Sequence, residues 1–199
     1  GATRPGYSAW RNYGSSLSTG PGGWMQIVNF IVCGVLTLAF VVGLRRILRS
    51  GKGAVGGPIL LGIFGLGLVA AGIFVTDPSL GYPPGTQGHG PQTLHGTIHG
   101  LAGLVVFFSL AAACFVLARR FAGDPRGQRW ALYSIMTGTI VAVSFVSSTV
   151  MSVLDETGVV PNGPTGLLQR IGIIAGWGWV SLLAFRLLRV GSTSAVQLR

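Results

Sequence analysis

Apolar residues in this chain gather into five long runs, separated by stretches rich in glycine, proline and arginine. The runs occupy about 24–44, 58–75, 94–118, 130–153 and 166–188. Each has roughly 18 to 25 residues, enough for an α-helix rising about 1.5 Å per residue to cross about 30 Å of hydrocarbon. The second run is the shortest and carries Gly62, Gly65, Gly67 and Gly72. One such run fits a buried helix of a soluble domain; five in 199 residues do not. The pattern predicts an all-α, polytopic transmembrane helix bundle, with residues 1–199 as a single transmembrane domain of five spans.

Composition strengthens this reading. Hydrophobic residues make up 49% of the chain and the mean hydropathy is +0.63. Charged residues make up 9%, against about a quarter in a soluble domain. That is too few to cover a soluble surface. Cys33 and Cys114 lie inside separate apolar runs, where a thiol behaves as a small hydrophobe.

Lys and Arg number 14 against 4 Asp and Glu, a formal net charge of +10. The cations flank the apolar runs and form no basic face interleaved with aromatics, so nucleic acid is not an expected partner. Arg45, Arg46, Arg49 and Lys52 follow the first run; Arg119, Arg120, Arg126 and Arg129 follow the third; Arg186, Arg189 and Arg199 close the chain. The positive-inside rule places all of these on the cytoplasmic side of a bacterial cytoplasmic (inner) membrane. The N-terminal segment and loops 76–93 and 154–165 then face outward. An outward segment starting at Gly1, with no apolar signal core before the first run, predicts a further helix upstream and six spans in all.

Lipid gives no hydrophobic reward for helix association, so small residues mark helix contacts. Gly96 and Gly100, Gly138 and Ala142, and Gly172 and Gly176 are each four apart, and predict close backbone crossings. Ser144, Ser148 and Ser152 form a polar stripe with the same spacing, and Thr137 and Thr149 lie nearby. The stripe has two readings. Its hydroxyls bond back to their own helix and across to neighbours, or they line a polar cavity leading to Asp155.

The remaining polar residues collect at the outer ends of the runs. Asp77 closes the second, His95 and His99 open the third, Asp155 and Glu156 close the fourth, and Arg170 lies about one turn into the fifth. Together they form a candidate polar site. An arginine inside a span is costly, which predicts that Arg170 snorkels outward, pairs with Asp155, Glu156 or Asp77, or binds an anion or lipid headgroup. His95 and His99 share one helix face about 6 Å apart along the axis. That spacing can present two imidazoles to a divalent metal such as zinc, with Asp77 as third ligand and an open position for water. A structural, polar-network role is the leading reading of the pair, ahead of metal binding, and proton sensing is the third. No glutamate follows His95, and the remaining histidine, His89, sits in a loop. Haem is not expected, because two histidines on one face cannot be opposite axial ligands and no CxxCH motif is present.

Three stretches occur in a telling order: Tyr13-Gly14-Ser15-Ser16-Leu17-Ser18 running to Gly22-Gly23-Trp24, then Gly72-Ile73-Phe74-Val75-Thr76-Asp77-Pro78, then His95-x-x-x-His99 at a helix start. In this the chain resembles the DUF998 family of bacterial and archaeal integral membrane proteins, over nearly its whole length. The resemblance implies a small polytopic protein of about six helices with no assigned biochemical function. It singles out Ser16, Ser18, Trp24, Asp77, Pro78, His95 and His99.

Three functional expectations follow from the residues. The first is a non-enzymatic membrane protein, either an accessory subunit or a lipid-interacting factor, with membrane lipids and other membrane-protein subunits as partners. The second is a metal- or general-base-dependent hydrolase using Asp77, His95 and His99. The third is a small transporter using the serine stripe and Arg170. No complete catalytic set is present, which favours the first.

Overall fold

The computed structural model describes residues 3–86 and 92–196, with side chains up to Leu188. His89 and Arg199 lie outside the described residues. Among the described residues five α-helices follow one another: α1 (Trp24–Ile47), α2 (Gly56–Ile73), α3 (Leu94–Phe121), α4 (Gln128–Glu156) and α5 (Thr165–Val196). Short 3-10 turns at Ser15–Ser18 and Pro125–Gly127 precede α1 and α4. All five helices are long and apolar enough to cross a membrane, so the chain is a multi-pass membrane protein. The helices α1, α3 and α4 run past the ends of their apolar runs into flanking polar residues. At Arg45 and Arg46, and at Arg119 and Arg120, the extensions carry cations in the last turn. Cations there favour the helix C-terminus.

Each helix packs on the next in the chain. Glycine makes the tightest approaches. A Cβ on Gly34 of α1 would sit 2.7 Å from the Gly65 carbonyl of α2, and one on Gly138 of α4 would sit 3.1 Å from the Ala111 carbonyl of α3. A Cβ on Gly172 of α5 would meet Ser144 of α4 at 3.0 Å. The pairs Gly138/Ala142 and Gly172/Gly176 therefore do lie at helix contacts, and the α1–α2 seam adds Gly34, Gly65 and Gly72, which no four-residue spacing marks. Gly96 and Gly100 do not form a crossing. A Cβ on Gly96 would strike the Asp77 carboxylate, and one on Gly100 would meet nothing within 4 Å.

The core lies toward the arginine-rich end of the bundle. Leu61 and Phe64 of α2, Leu110 and Cys114 of α3, Val141 of α4, and Trp179 and Leu183 of α5 are almost fully buried there. The indole Nε1–H of Trp179 donates to Ser134 Oγ at 2.9 Å, which satisfies a polar group that lipid or core could not. At that end Arg120 donates to the Ser50 and Lys52 carbonyls, at 2.7 and 3.2 Å. Arg186 lies 4.9 Å from the ring centre of Trp130.

Candidate functional site

At the opposite end, residues 3–23 form a cap over the helix ends. Its sequence has little apolar periodicity, so side chains and helix ends supply its hydrogen bonds. Arg170, one turn into α5, donates to the carbonyls of Ala9 (2.7 Å), Asn12 (3.0 Å) and Gly166 (2.8 Å), and to the Tyr7 hydroxyl. The Gly14 N–H donates to Gln169 Oε1 at 2.8 Å, and the Leu167 N–H to the Trp10 carbonyl at 3.0 Å. Asn12 is buried and donates to the Leu80 carbonyl at 2.9 Å. The Trp10 indole donates to the Asn162 carbonyl at 3.1 Å. The cap is thus fixed to α5 and to both neighbouring loops. Ser16 and Ser18 are buried within its 3-10 turn, and Trp24 is exposed where α1 begins.

The described partners of Arg170 are cap and helix oxygens rather than one of the acids named as candidates for it. The cation that reaches an acid is Arg11, whose Nε and Nη2 donate to the two oxygens of Asp155 at 2.7 and 2.8 Å. The Asn162 N–H adds a third bond to that carboxylate at 3.1 Å. Arg170 instead takes four oxygens of the cap and of its own helix. A planar guanidinium with five donors suits a cluster of carbonyls as well as it suits a carboxylate.

Tyr13 lies over the end of α4, where its hydroxyl donates to the Ser148 carbonyl at 3.2 Å. Burial pushes its phenol above the ordinary value, offset in part by a hydrogen bond from Ser152. Burial also raises Tyr7, against the lowering effect of Arg170. The serine stripe is a packed seam. Ser144, Ser148 and Ser152 are all buried, the Ser148 hydroxyl bonds back to the Phe145 carbonyl at 2.9 Å, and Ser152 reaches Glu156 Oε1 at 3.4 Å. The stripe is not among the described residues that line the open space at this end, to which α4 presents Phe145 and Thr149 instead.

Asp77, His95 and His99 stand close in the fold without converging on one point. Asp77 accepts from the Thr93 N–H at 2.8 Å and the Thr93 hydroxyl at 2.6 Å, and Thr93 Oγ1 accepts from the Gly96 N–H at 3.0 Å. This is a two-residue cap on α3. The absence of a Cβ on Gly96 makes room for that carboxylate. His95 is exposed, with its ring 5.4 Å from that of Phe74. His99 is buried at 7% exposure and turns to α2, with Nδ1 2.8 Å from the Phe74 carbonyl and 3.1 Å from the Ala71 carbonyl. Among the described residues no three His, Cys, Asp or Glu side chains are placed to hold a metal ion. The expected Asp77–His95–His99 metal triad is therefore not assembled. Each group answers a nearer backbone or ring partner.

The sequence pattern did not disclose the main feature of this end, a cavity of about 370 Å³ beneath the cap. Tyr13, Gly14 and Ser15 roof it. Phe30 of α1, Leu68 of α2, His99 and Gly103 of α3, Phe145 of α4 and Ile173 of α5 are among its walls. Phe107 and Trp177 lie deepest, with ring centres 6.2 Å apart. From His99 to Phe107 is eight residues, or about 12 Å of helix. Gly100, Leu104 and Thr149 also line it and are exposed, so the cavity opens sideways between α3 and α4. Below it the buried core closes the bundle. Gly103 was one clue in the sequence, since a Cβ there meets nothing within 4 Å, yet a glycine alone does not tell an open wall from a close crossing.

The family model described as "Protein of unknown function (DUF998)" matches residues 1–186. No curated protein and no solved structure matches the chain.

Proposed function

The chain belongs to the DUF998 family, and from the cavity of this member we propose that it is a lipid-interacting membrane protein, one that takes an apolar chain into the bundle beneath its cap. The single observation behind this is the cavity itself. Its volume of about 370 Å³ falls in the usual range of ligand pockets, about 300–1,000 Å³. Its walls are mostly apolar, its few polar groups gather near the cap, and its side opening faces where lipid would lie. A lipid in the bilayer can enter such a cavity without crossing water. We place the cap on the outer side of a bacterial cytoplasmic membrane and the arginine-rich loops inside, on the strength of the positive-inside rule.

The hydrolase expectation loses support, because Asp77 and both histidines are turned to separate partners. The cavity does not favour the transporter expectation, since among the described residues it reaches Phe107 and Trp177 above a filled core. An accessory role remains compatible with lipid binding.

Lipid retention tests the proposal. Gly103→Trp fills the cavity from a position whose Cβ has open space. Gly43→Trp, on the exposed face of α1 where a Cβ also meets nothing, is the control. Mass spectrometry of lipids released from purified protein is expected to find a tightly held lipid in the native chain and in the Gly43 variant, and to find it depleted in the Gly103 variant. Equal lipid content in all three would overturn the proposal.

A further inference from the structure

Resting on that lipid-binding reading, we infer that the cavity selects a neutral lipid bearing both a free hydroxyl and an ester carbonyl, the chemistry of a mono- or diacylglycerol, over a phospholipid of the same chain. Among the described residues no Asp, Glu, Lys or Arg side chain lines the cavity. Charged residues at this end are engaged elsewhere: Arg170 with cap carbonyls, Arg11 with Asp155, Asp77 with Thr93 and Glu156 with Ser152. A phosphate drawn inside would lose water and gain no counter-charge, a large penalty in an apolar enclosure.

Of the polar side chains on the cavity wall, Tyr13, Thr76 and Thr149 donate to backbone carbonyls, Ser15 and Gln26 can donate or accept, and His99 and Gln169 are held in fixed roles, one an acceptor and one a donor. Both oxygens beside His99 Nδ1 are carbonyls, which only accept, so Nδ1 carries the proton. The neutral ring then has its lone pair at Nε2, for which no partner exists among the described residues. His99 is buried on the cavity wall, so that lone pair is an acceptor awaiting a hydroxyl. Gln169 shows the reverse. Its Oε1 accepts from the Gly14 N–H, which orients the amide and leaves the NH2 as donor on the same cavity. A hydroxyl answers His99 and an ester carbonyl answers Gln169. A headgroup offering only acceptors would leave the imidazole lone pair facing another lone pair.

The test uses the full chain in detergent, with monooleoylglycerol and the singly acylated lysophosphatidylglycerol of the same acyl chain as probes, their affinities measured by competition against a photoreactive fatty-acyl probe. His99→Asn is the informative variant, since the Asn amide reproduces the Nδ1–H donation to α2 and lacks the Nε2 acceptor. The native protein is expected to bind monooleoylglycerol at least tenfold more tightly than the lysophospholipid. His99→Asn should weaken the glyceride about tenfold, the worth of one buried hydrogen bond, while methyl oleate, which keeps the ester and has no hydroxyl to lose, should bind the variant and the native chain alike. Equal binding of the two probes, both blocked by Gly103→Trp, would overturn the headgroup assignment and leave the lipid-binding reading standing. Selective glyceride binding that His99→Asn does not weaken would overturn the role of Nε2, and with it the inference. Binding of neither probe would overturn both readings.

Discussion

Arg11 and Asp155 stand 144 residues apart in the chain and meet in a two-pronged ion pair that joins the cap to the end of α4. The Asp155 side chain is fully buried and that of Arg11 is 30% exposed. The value of such a pair is asymmetric. Removing one partner leaves a buried charge uncompensated, at a cost of several kcal/mol, whereas replacing both with apolar groups is often tolerated. Arg11→Ala is therefore expected to destabilise the protein by about 3 kcal/mol, toward the low end for a broken buried pair because water reaches the arginine. Arg11→Met combined with Asp155→Leu should recover most of that loss. Thermal unfolding in one detergent compares the two. A double variant less stable than Arg11→Ala would show that the pair contributes far more than its charge balance.

Gly96 and Gly100 should respond oppositely to the same methyl group. At Gly96 a Cβ collides with the Asp77 carboxylate that holds the start of α3, so Gly96→Ala is expected to cost about 1 kcal/mol or more, the scale of a lost helix cap. At Gly100 the space is open, and Gly100→Ala should stabilise by up to about 1 kcal/mol through helix propensity alone. The difference in melting temperature between the two single variants measures this directly. Equal shifts would mean that the two glycines do share one crossing.

These two glycines mark where the sequence stops being readable. The spans were legible because lipid demands long apolar helices, and the arginines at their ends reported on one face. The gathering of Asp77, His95, His99, Asp155, Glu156 and Arg170 at the other face followed from topology. The partners within that gathering did not. Arg11 belongs to a glycine-rich segment with no periodicity, and its bond to Asp155 spans most of the chain. One signal was available: a buried acid at a helix end requires a cation, and Arg4, Arg11 and Arg170 were all on its side. The spacing of His95 and His99 pointed at a shared ligand, yet the carbonyls at the end of α2, freed where that helix stops at Ile73, hold His99 first.

His95 and Asp77 should separate cleanly under substitution. His95 is exposed and touches only the Phe74 ring among the contacts described, so His95→Ala is expected to change stability by no more than about 0.5 kcal/mol. Asp77→Ala removes both bonds to Thr93 and should cost about 1 kcal/mol. Added zinc should leave the melting temperatures of the native protein and the His95 variant alike unchanged. A zinc-dependent rise in melting temperature that vanishes with His95→Ala would restore the metal site.

Alkaline pH should loosen the cap. Burial raises both Tyr7 and Tyr13 above their ordinary value of 10.0, so the folded cap holds these phenol protons more tightly than the unfolded chain does. Their contribution is complete below pH 10 and declines above it, as the unfolded state releases protons that the folded state keeps. Hydrogen exchange of residues 3–23 is expected to be level from pH 8 to 10, after correction for intrinsic rate, and to accelerate beyond. The Tyr7→Phe and Tyr13→Phe double variant should show a shallower rise. An unchanged slope would assign the loosening to other groups.

Arg170 tests whether the cap depends on charge or on shape. A lysine keeps the positive charge but offers a single ammonium in place of a planar fork. Arg170 reaches Ala9, Asn12, Gly166 and Tyr7 together, and no single ammonium can hold oxygens spread along two segments in the same way. Arg170→Lys is therefore expected to leave the five helices intact while releasing the cap from α5. Limited proteolysis reads this out, with cleavage within residues 3–23 accelerating about tenfold or more if roughly 1.4 kcal/mol of local stability is lost. Because the cap roofs the cavity through Tyr13, Gly14 and Ser15, the same variant should exchange bound lipid faster. Cleavage and exchange both at the native rate would show that charge alone holds the cap, and that the four-oxygen arrangement around Arg170 contributes no further stability.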